Sequence, residues 1–441
     1  DVESHLWLGT DFGLNIFNVG QRTVNNSFHN PQQPYSIPSN VIWQFLQDRS
    51  GVIWLATSNG LSRINSAGNF YEYQNVSYTV ENQISGNQVK SVLVSSKGIY
   101  WLGTLHGVIR IDPKSGTSRF FDFSPDTGNN VYTLEEDQFG RIWIGTAGGI
   151  NIWDNIEQKM YPVSANDSNG LTSNYIGKLL STKDGSFWVS EWEGGLYKVD
   201  AIEKKPDELN FIPVKGLESG SEKIVYGKGS IWIVEFDELY RVSPEDYTKS
   251  HIESFSKASG KQMIYSIYFS RSGHLWAGTL NGLIQYIPDE NKSIFHPMVS
   301  GDEIMISNII EDQDKNIWST SNTSLYKFYP KTDAVEIYPL DKDLPLKSFY
   351  YGCAAITVDN KIIFGGDNGY ITFFPESVKP NLFNANIFIT SVEINNQRLS
   401  VNDTLNGRIT LQKDVAFTKE LVLNYEQRSL SFEFSSLHYW Q

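Results

Sequence analysis

Two short stretches, Glu191-Trp192-Glu193 and Glu235-Phe236-Asp237-Glu238, concentrate carboxylates and an aromatic ring in a few residues. Such groups suit sugar recognition. An aromatic face covers the C–H surface of a pyranose, and a carboxylate accepts two hydroxyl hydrogen bonds. A pair of carboxylates facing across a sugar is also the minimum equipment of a glycosidase, so Glu191 and Glu235 keep open a minority reading of hydrolysis or lyase chemistry. The bland alternative is a divergent, solvated turn. Other catalytic chemistry finds little support. The seven histidines (5, 29, 106, 251, 274, 296 and 438) show no metal-ligand spacing. There is no G-x-S-x-G, no phosphate loop and no G-x-G-x-x-G. Cys353 lies in the apolar run YGCAAITV and reads as a buried core thiol. Glu135-Glu136-Asp137 and Glu311-Asp312 with Asp314 recur at one point of a repeat, which marks them as turn formers. No metal and no cofactor is expected.

That repeat organises the chain. LWLGTDFGLNIF (6–17), IWLATSNGLSRI (53–64), YWLGTLHGVIRI (100–111), IWIGTAGGINIW (142–153) and FWVSEWEGGLYKV (187–199) are followed by IWIVEFDELYRV (231–242), LWAGTLNGLIQY (275–286), IWSTSNTSLYKF (317–328) and IIFGGDNGYITF (362–373). The tryptophans at 7, 54, 101, 143, 188, 232, 276 and 318 are spaced by 47, 47, 42, 45, 44, 44 and 42 residues, and Phe364 takes the ninth place. Each copy reads as an apolar strand, a Gly-Thr-x-x-Gly turn and a second alternating strand. A β-branched strand precedes each copy but the first, and an aromatic edge strand follows. Four short strands in about 44 residues make one blade of a β-propeller. One Trp per blade is a packing residue between sheets. The fold expected is all-β: four-stranded blades, seven favoured and eight possible, followed by the start of a β-sandwich. The Phe364 copy has no clear fourth strand, and the segment around Asn69 to Tyr73 is a candidate to close the ring.

The copy IWIGTAGGINIWD, set behind the turn EDQFG, resembles the two-component-regulator propeller repeat. NIFITSVEINNQRL (386–399) and LNYEQRSLSFEFSSLHY (423–439) resemble the opening strands of the three-tyrosine (Y_Y_Y) domain. Together they resemble the periplasmic sensor region of the hybrid two-component systems of Bacteroides-type bacteria. The resemblance implies tandem seven-bladed rings. Residues 1–80 would be the last blades of a preceding propeller (or the first blades of the same ring), 81–378 a propeller, and 379–441 a truncated Y_Y_Y-type sandwich. It further implies an oligosaccharide ligand, a homodimer through the sandwich, and a membrane helix outside this chain.

In a propeller the first strand of each blade lines the channel, and the middle turns share a face with the blade-to-blade connections. On that face the candidate ligand residues are Glu191, Trp192, Glu193, Glu235, Phe236 and Asp237. Trp43, on an inner strand, would plug a channel or offer a stacking platform. Lys90, Lys178 and Asn87 lie near inner strands, whereas Trp153 and His106 read as packing or surface residues. The Ser/Asn/Gly runs entering the inner strands read as turn chemistry. A formal charge of −14 disfavours nucleic acid and anionic membranes. A single cysteine excludes an intramolecular disulfide. The function that the resemblance implies is a non-catalytic, extracytoplasmic (periplasmic) ligand sensor. A propeller enzyme on a polysaccharide, or a protein–protein scaffold, is the alternative.

Overall fold

The computed structural model describes residues 5–20, 22–31, 36–48, 52–65, 71–76, 78–80, 83–85, 87–123, 128–167, 169–217, 220–298, 304–340, 344–378, 387–405, 408–409, 411–423, 425 and 427–436. The chain divides into two compact units, Phe70–Pro380 and a second made of Asp1–Asn69 with Asn381–Gln441.

The Phe70–Pro380 unit is a β-propeller of seven four-stranded antiparallel sheets. Blade 1 runs Ser91–Val94, Tyr100–Gly103, Gly107–Asp112 and Thr117–Asp122. Blade 2 runs Val131–Glu136, Ile142–Thr146, Gly149–Asp154 and Lys159–Val163. Blade 3 runs Ile176–Ser181, Phe187–Glu191, Gly195–Asp200 and Asn210–Pro213. Blade 4 runs Ile224–Gly227, Ser230–Glu235, Glu238–Val242 and Lys249–His251. Blade 5 runs Ser266–Phe269, Leu275–Gly278, Gly282–Ile287 and Lys292–Pro297. Blade 6 runs Asn308–Glu311, Ile317–Thr320, Ser324–Tyr329 and Ala334–Pro339. Blade 7 takes Phe349–Ile356, Ile362–Gly366 and Gly369–Phe373 from its own segment. Its fourth strand is Glu72–Gln74, which pairs antiparallel with Gly369–Phe373. The first strands neighbour one another from blade to blade, and that of blade 7 meets those of blades 6 and 1, so the ring closes. Closure by this strand satisfies an otherwise open edge. The closing strand comes from the segment around Asn69 to Tyr73 that the sequence offered for this place.

The core is a set of wedges between blades. Trp101, Trp143, Trp188, Trp232, Trp276 and Trp318 are all buried to 2% exposure or less. Trp143, for example, packs with Ile176, Leu179, Phe187 and Val189 of the next blade. In two blades of the ring the indole N–H is held by the acidic turn behind it. Trp143 Nε1 donates to Asp137 Oδ2 at 2.8 Å, and Trp318 Nε1 to Asp312 Oδ2 at 2.9 Å. Asp137 also pairs with Arg141 at 2.6 Å. The acidic repeats are therefore structural.

The two glycines of the repeated turn have different tasks. Gly107 needs positive φ (138°), and a Cβ there would lie 2.2 Å from the Phe121 carbonyl oxygen. The earlier glycine makes room for the next blade: a Cβ on Gly145 would meet Ile176 Cγ2 at 2.8 Å. The threonine between them donates to the second glycine's carbonyl, as Thr146 does to Gly149 at 2.9 Å.

In the second unit, His5–Thr10, Gly13–Asn18 and Thr23–Ser27 form one three-stranded sheet, and Ile42–Gln47, Val52–Thr57 and Gly60–Asn65 form another. They share a small core of Leu14, Ile37, Ile42, Ile53 and Leu55. Towards the C-terminus, Phe388–Ile394 pairs with Gln397–Arg398 and with Leu430–Ser435. Residues 379–386 and 437–441 of the expected sandwich lie outside the described residues.

Candidate functional site

The face of the ring that carries the middle turns also carries the entries to the inner strands, because an antiparallel pair brings both to one end. Ile176, at the start of an inner strand, sits opposite Glu191 at the end of the next. The sequence candidates of blades 3 and 4 all lie here, but the carboxylates of Glu191 and Glu235 are committed. Glu191 is fully buried. Its Oε1 accepts from the Thr172 N–H at 3.0 Å and its Oε2 from Thr172 Oγ1 at 2.8 Å. It stands where other blades have threonine and latches the connection that enters blade 3. Both oxygens of Glu235 accept from Lys249 Nζ at 2.7 Å, and that ammonium lies 4.1 Å from the Tyr240 ring centre. The facing carboxylate pair that a glycosidase would need is therefore not formed by Glu191 and Glu235. Glu193 is exposed and Asp237 half-buried. Phe236, at the tip of its turn with φ 58°, is 92% exposed.

Trp192 differs from these. It is 47% exposed, and its backbone N–H donates to the Tyr175 carbonyl at 2.9 Å. Its ring meets that of Tyr175 edge-on at 5.8 Å. Gly177 lies beneath it, where a Cβ would come within 2.7 Å of the indole. Trp192 thus ends a chain of contacts around the mouth of the channel. The hydroxyls of Tyr175 and Tyr132 share a hydrogen bond of 2.5 Å. Asn130 Nδ2 donates to the Tyr132 hydroxyl at 2.7 Å, and Lys90 Nζ donates to Asn130 Oδ1 at 3.0 Å. The Lys90 ammonium lies 4.5 Å from the Tyr132 ring centre and 5.6 Å from that of Tyr350. Tyr350 in turn donates to Gln88 Oε1 at 3.0 Å. The collar spans blades 7, 1, 2 and 3. Burial lowers the pKa of Lys90, with a smaller opposing pull from Glu222. Burial and the Tyr175 hydroxyl push the Tyr132 phenol well up, so it stays a neutral donor.

The inner strand of blade 7 completes the mouth. Its pairing is irregular between Phe349 and Ala354, and Gly352 takes φ 65° there. This bulge directs neighbouring tyrosines to different neighbours. Tyr350 meets the Lys90 side, while Tyr351 stacks on Tyr265 at 5.5 Å and donates to Met305 Sδ at 2.8 Å. Deeper in the ring, the Glu135 carboxyl is pushed up to about 7 by burial, against the pull of Lys178 and of the Ser181 N–H.

The remaining candidates are scattered. Asn87 Nδ2 donates to Asn368 Oδ1 at 2.9 Å. His106 is exposed. Trp153 is buried against Trp101 and Phe121, an inter-blade position. Cys353 is buried and close to the Val89 carbonyl at 3.4 Å, and burial raises its thiol to about 12. Trp43 belongs to the other unit, where it is 70% exposed. Among the described residues, no group of three or more His, Cys, Asp or Glu could hold a metal ion. No described helix is long and apolar enough to cross a membrane. The sequence reading missed the tyrosines of the collar. Their signal was an aromatic residue at the entries to the inner strands of blades 2, 3 and 7, in Asn130-Val131-Tyr132, Asn174-Tyr175 and Tyr350-Tyr351.

With this geometry in place, comparison with known proteins is informative. The two-component regulator propeller model matches residues 36–59 and 126–148, so the chain carries that repeat. Histidine kinase P4 of Formosa agariphila is 24% identical over 312 residues, covering 70% of this chain and 20% of that protein. The solved extracellular domain assigned to the hybrid two-component system BT3049 of B. thetaiotaomicron matches with a TM-score of 0.68 at 20% identity. That match covers 98% of this chain and 62% of that domain. A streptogramin B lyase matches at TM-score 0.51 and 14% identity, covering 68% of this chain and 97% of the enzyme. The chain therefore spans a fifth of its curated relative and less than two thirds of the solved sensor domain. At these identities the structural matches show the propeller fold.

Proposed function

We propose that this chain is the ligand-sensing part of an extracytoplasmic, two-component-type receptor, and that the ring mouth receives the ligand. The observation that carries the reading is the collar from Gln88 through Tyr350, Lys90, Asn130 and Tyr132 to Tyr175 and Trp192, a convergent set of aromatic and hydrogen-bonding groups on one face. Polar groups fixed among aromatic surfaces are what an oligosaccharide site requires. The propeller repeat and the names of the similar proteins support the sensor role. The two N-terminal sheets are read as blades of a second propeller, because Leu61 is 70% exposed where the equivalent Val108, Ile150 and Leu283 of the ring are fully buried. The C-terminal strands are read as the start of a Y_Y_Y sandwich that carries the signal onward and supports a homodimer. Signalling then requires that ligand favour one arrangement of the receptor over another.

A thermal-shift screen of the whole chain against defined oligosaccharides tests this reading. One saccharide class is expected to raise the melting temperature, and Tyr175→Ala and Trp192→Ala should abolish the shift. Cleavage of a saccharide during incubation would contradict it and favour the enzyme reading that the lyase-like fold leaves available.

A further inference from the structure

The chain carries 50 acidic and 36 basic side chains, yet several lysines make no ion pair among the described residues, and Lys90 is the one of them set in the collar. It is half-buried at the ring mouth. Among the described residues its ammonium has one hydrogen-bond acceptor, Asn130 Oδ1, and no carboxylate within ion-pair distance. Glu222 acts on it only from a distance and is itself paired with Lys223 at 3.0 Å. A lysine ammonium has three N–H donors. One is used, and the Tyr132 and Tyr350 rings offer their faces to the cation. A desolvated cation with spare donors is an unfilled half of an ion pair, and an arriving anion recovers the cost of its burial. The surroundings narrow the anion. Asn130, Tyr132, Tyr175 and Gln88 present amide and hydroxyl groups for a ligand rich in hydroxyls. Trp192 and Tyr351, each 47% exposed, present apolar faces.

We infer that the ring mouth selects a saccharide bearing a carboxylate, a hexuronate, with the carboxylate seated on Lys90 Nζ and the sugar ring against the tyrosine–tryptophan side of the collar. The inference rests on the ligand-sensing reading above and deepens it. It assigns Lys90 the choice between acidic and neutral sugars, a role separate from that of the aromatic groups.

The test uses the whole chain made with ¹³Cε-labelled lysine, whose ammonium groups keep their charge and all three N–H donors. The Lys90 signal is assigned by its loss in Lys90→Gln, whose fold is checked by its near-ultraviolet circular dichroism. Glucuronate and galacturonate are titrated beside glucose, galactose and acetate, and Trp192 fluorescence is followed as the difference from Trp192→Phe. A saturable shift of the Lys90 signal and a change at Trp192 are expected with at least one hexuronate. Neither neutral sugar should match it, and Lys90→Gln should weaken hexuronate binding about 30-fold. A neutral sugar that changes Trp192 as strongly as the hexuronates, with Lys90→Gln unaffected, would overturn this inference and leave the saccharide-sensing reading standing. Acetate acting on Lys90 as strongly as either hexuronate would overturn the saccharide part. No response at Lys90 or Trp192 to any of the sugars would overturn the inference and count against the sensing reading too.

Discussion

The same repeat occurs in the seven-bladed ring and in the two N-terminal sheets, yet it buries its residues very differently. Trp143 and Trp318 are fully buried in the ring, whereas Trp7 and Trp54 are half-buried in the N-terminal sheets. Trp54 makes the same latch as its ring counterparts, donating to Asp48 Oδ2 at 2.9 Å. The local chemistry of a blade is thus complete in both regions. What differs is the neighbour. A blade has two apolar faces and becomes a core only when both are covered, which is the general rule of repeat proteins.

Breaking the neighbour relation should have the largest effect where the ring closes. Tyr73 lies on the closing strand and donates to the Asn368 carbonyl at 2.8 Å. Tyr73→Pro removes this aromatic side chain and cannot donate to the ladder. We expect it to cost about 4 kcal/mol in chemical denaturation. A change below about 1 kcal/mol would show that the ring does not depend on this strand. Next comes the matched pair Trp143→Ala and Trp54→Ala. The first should cost about 4 kcal/mol and the second about half that, because only the first empties a fully covered wedge. Equal losses would erase the contrast between the regions.

A smaller effect concerns Glu135, which has no counterpart in the N-terminal sheets, where Leu46 takes the equivalent place one residue beyond Phe45 against Leu55. Its carboxyl titrates near 7 in the folded ring and near 4.3 in an unfolded chain. The folded state therefore holds the extra proton between those values, and stability falls as pH rises through that window. Glu135→Gln should raise stability at pH 8 by about 1–2 kcal/mol and leave it unchanged near pH 4. A variant with the pH profile of the parent would exclude this coupling.

Much of the fold was legible in the sequence because a blade writes itself locally. The Trp anchor, the Gly-Thr turn and, in several copies, an acidic turn behind the Trp recur within about 44 residues and needed no long-range information. The segment ending at Tyr73 could be named as a possible closing strand only because the Phe364 copy lacked one. The site was less legible. Glu191 looked like a ligand group by residue type, but type does not reveal that Thr172 occupies both its oxygens. The collar assembles residues from separate blades: Tyr132 and Tyr175 are 43 residues apart, and Tyr350 and Gln88 are 262 apart. Blade adjacency brings the first pair together, and ring closure with the irregular strand of blade 7 brings the second.

The central claim is that this protein recognises a ligand at the mouth of the Phe70–Pro380 ring. Hydrogen–deuterium exchange of the whole chain, with and without the saccharide selected by the thermal screen, tests it most directly. The account predicts protection at the inner-strand entries around Lys90, Tyr132 and Tyr175, in the turn of Trp192 and in the Tyr350–Gly352 bulge, with the saccharide recovered intact. Protection confined to other segments, with these unchanged, would contradict it.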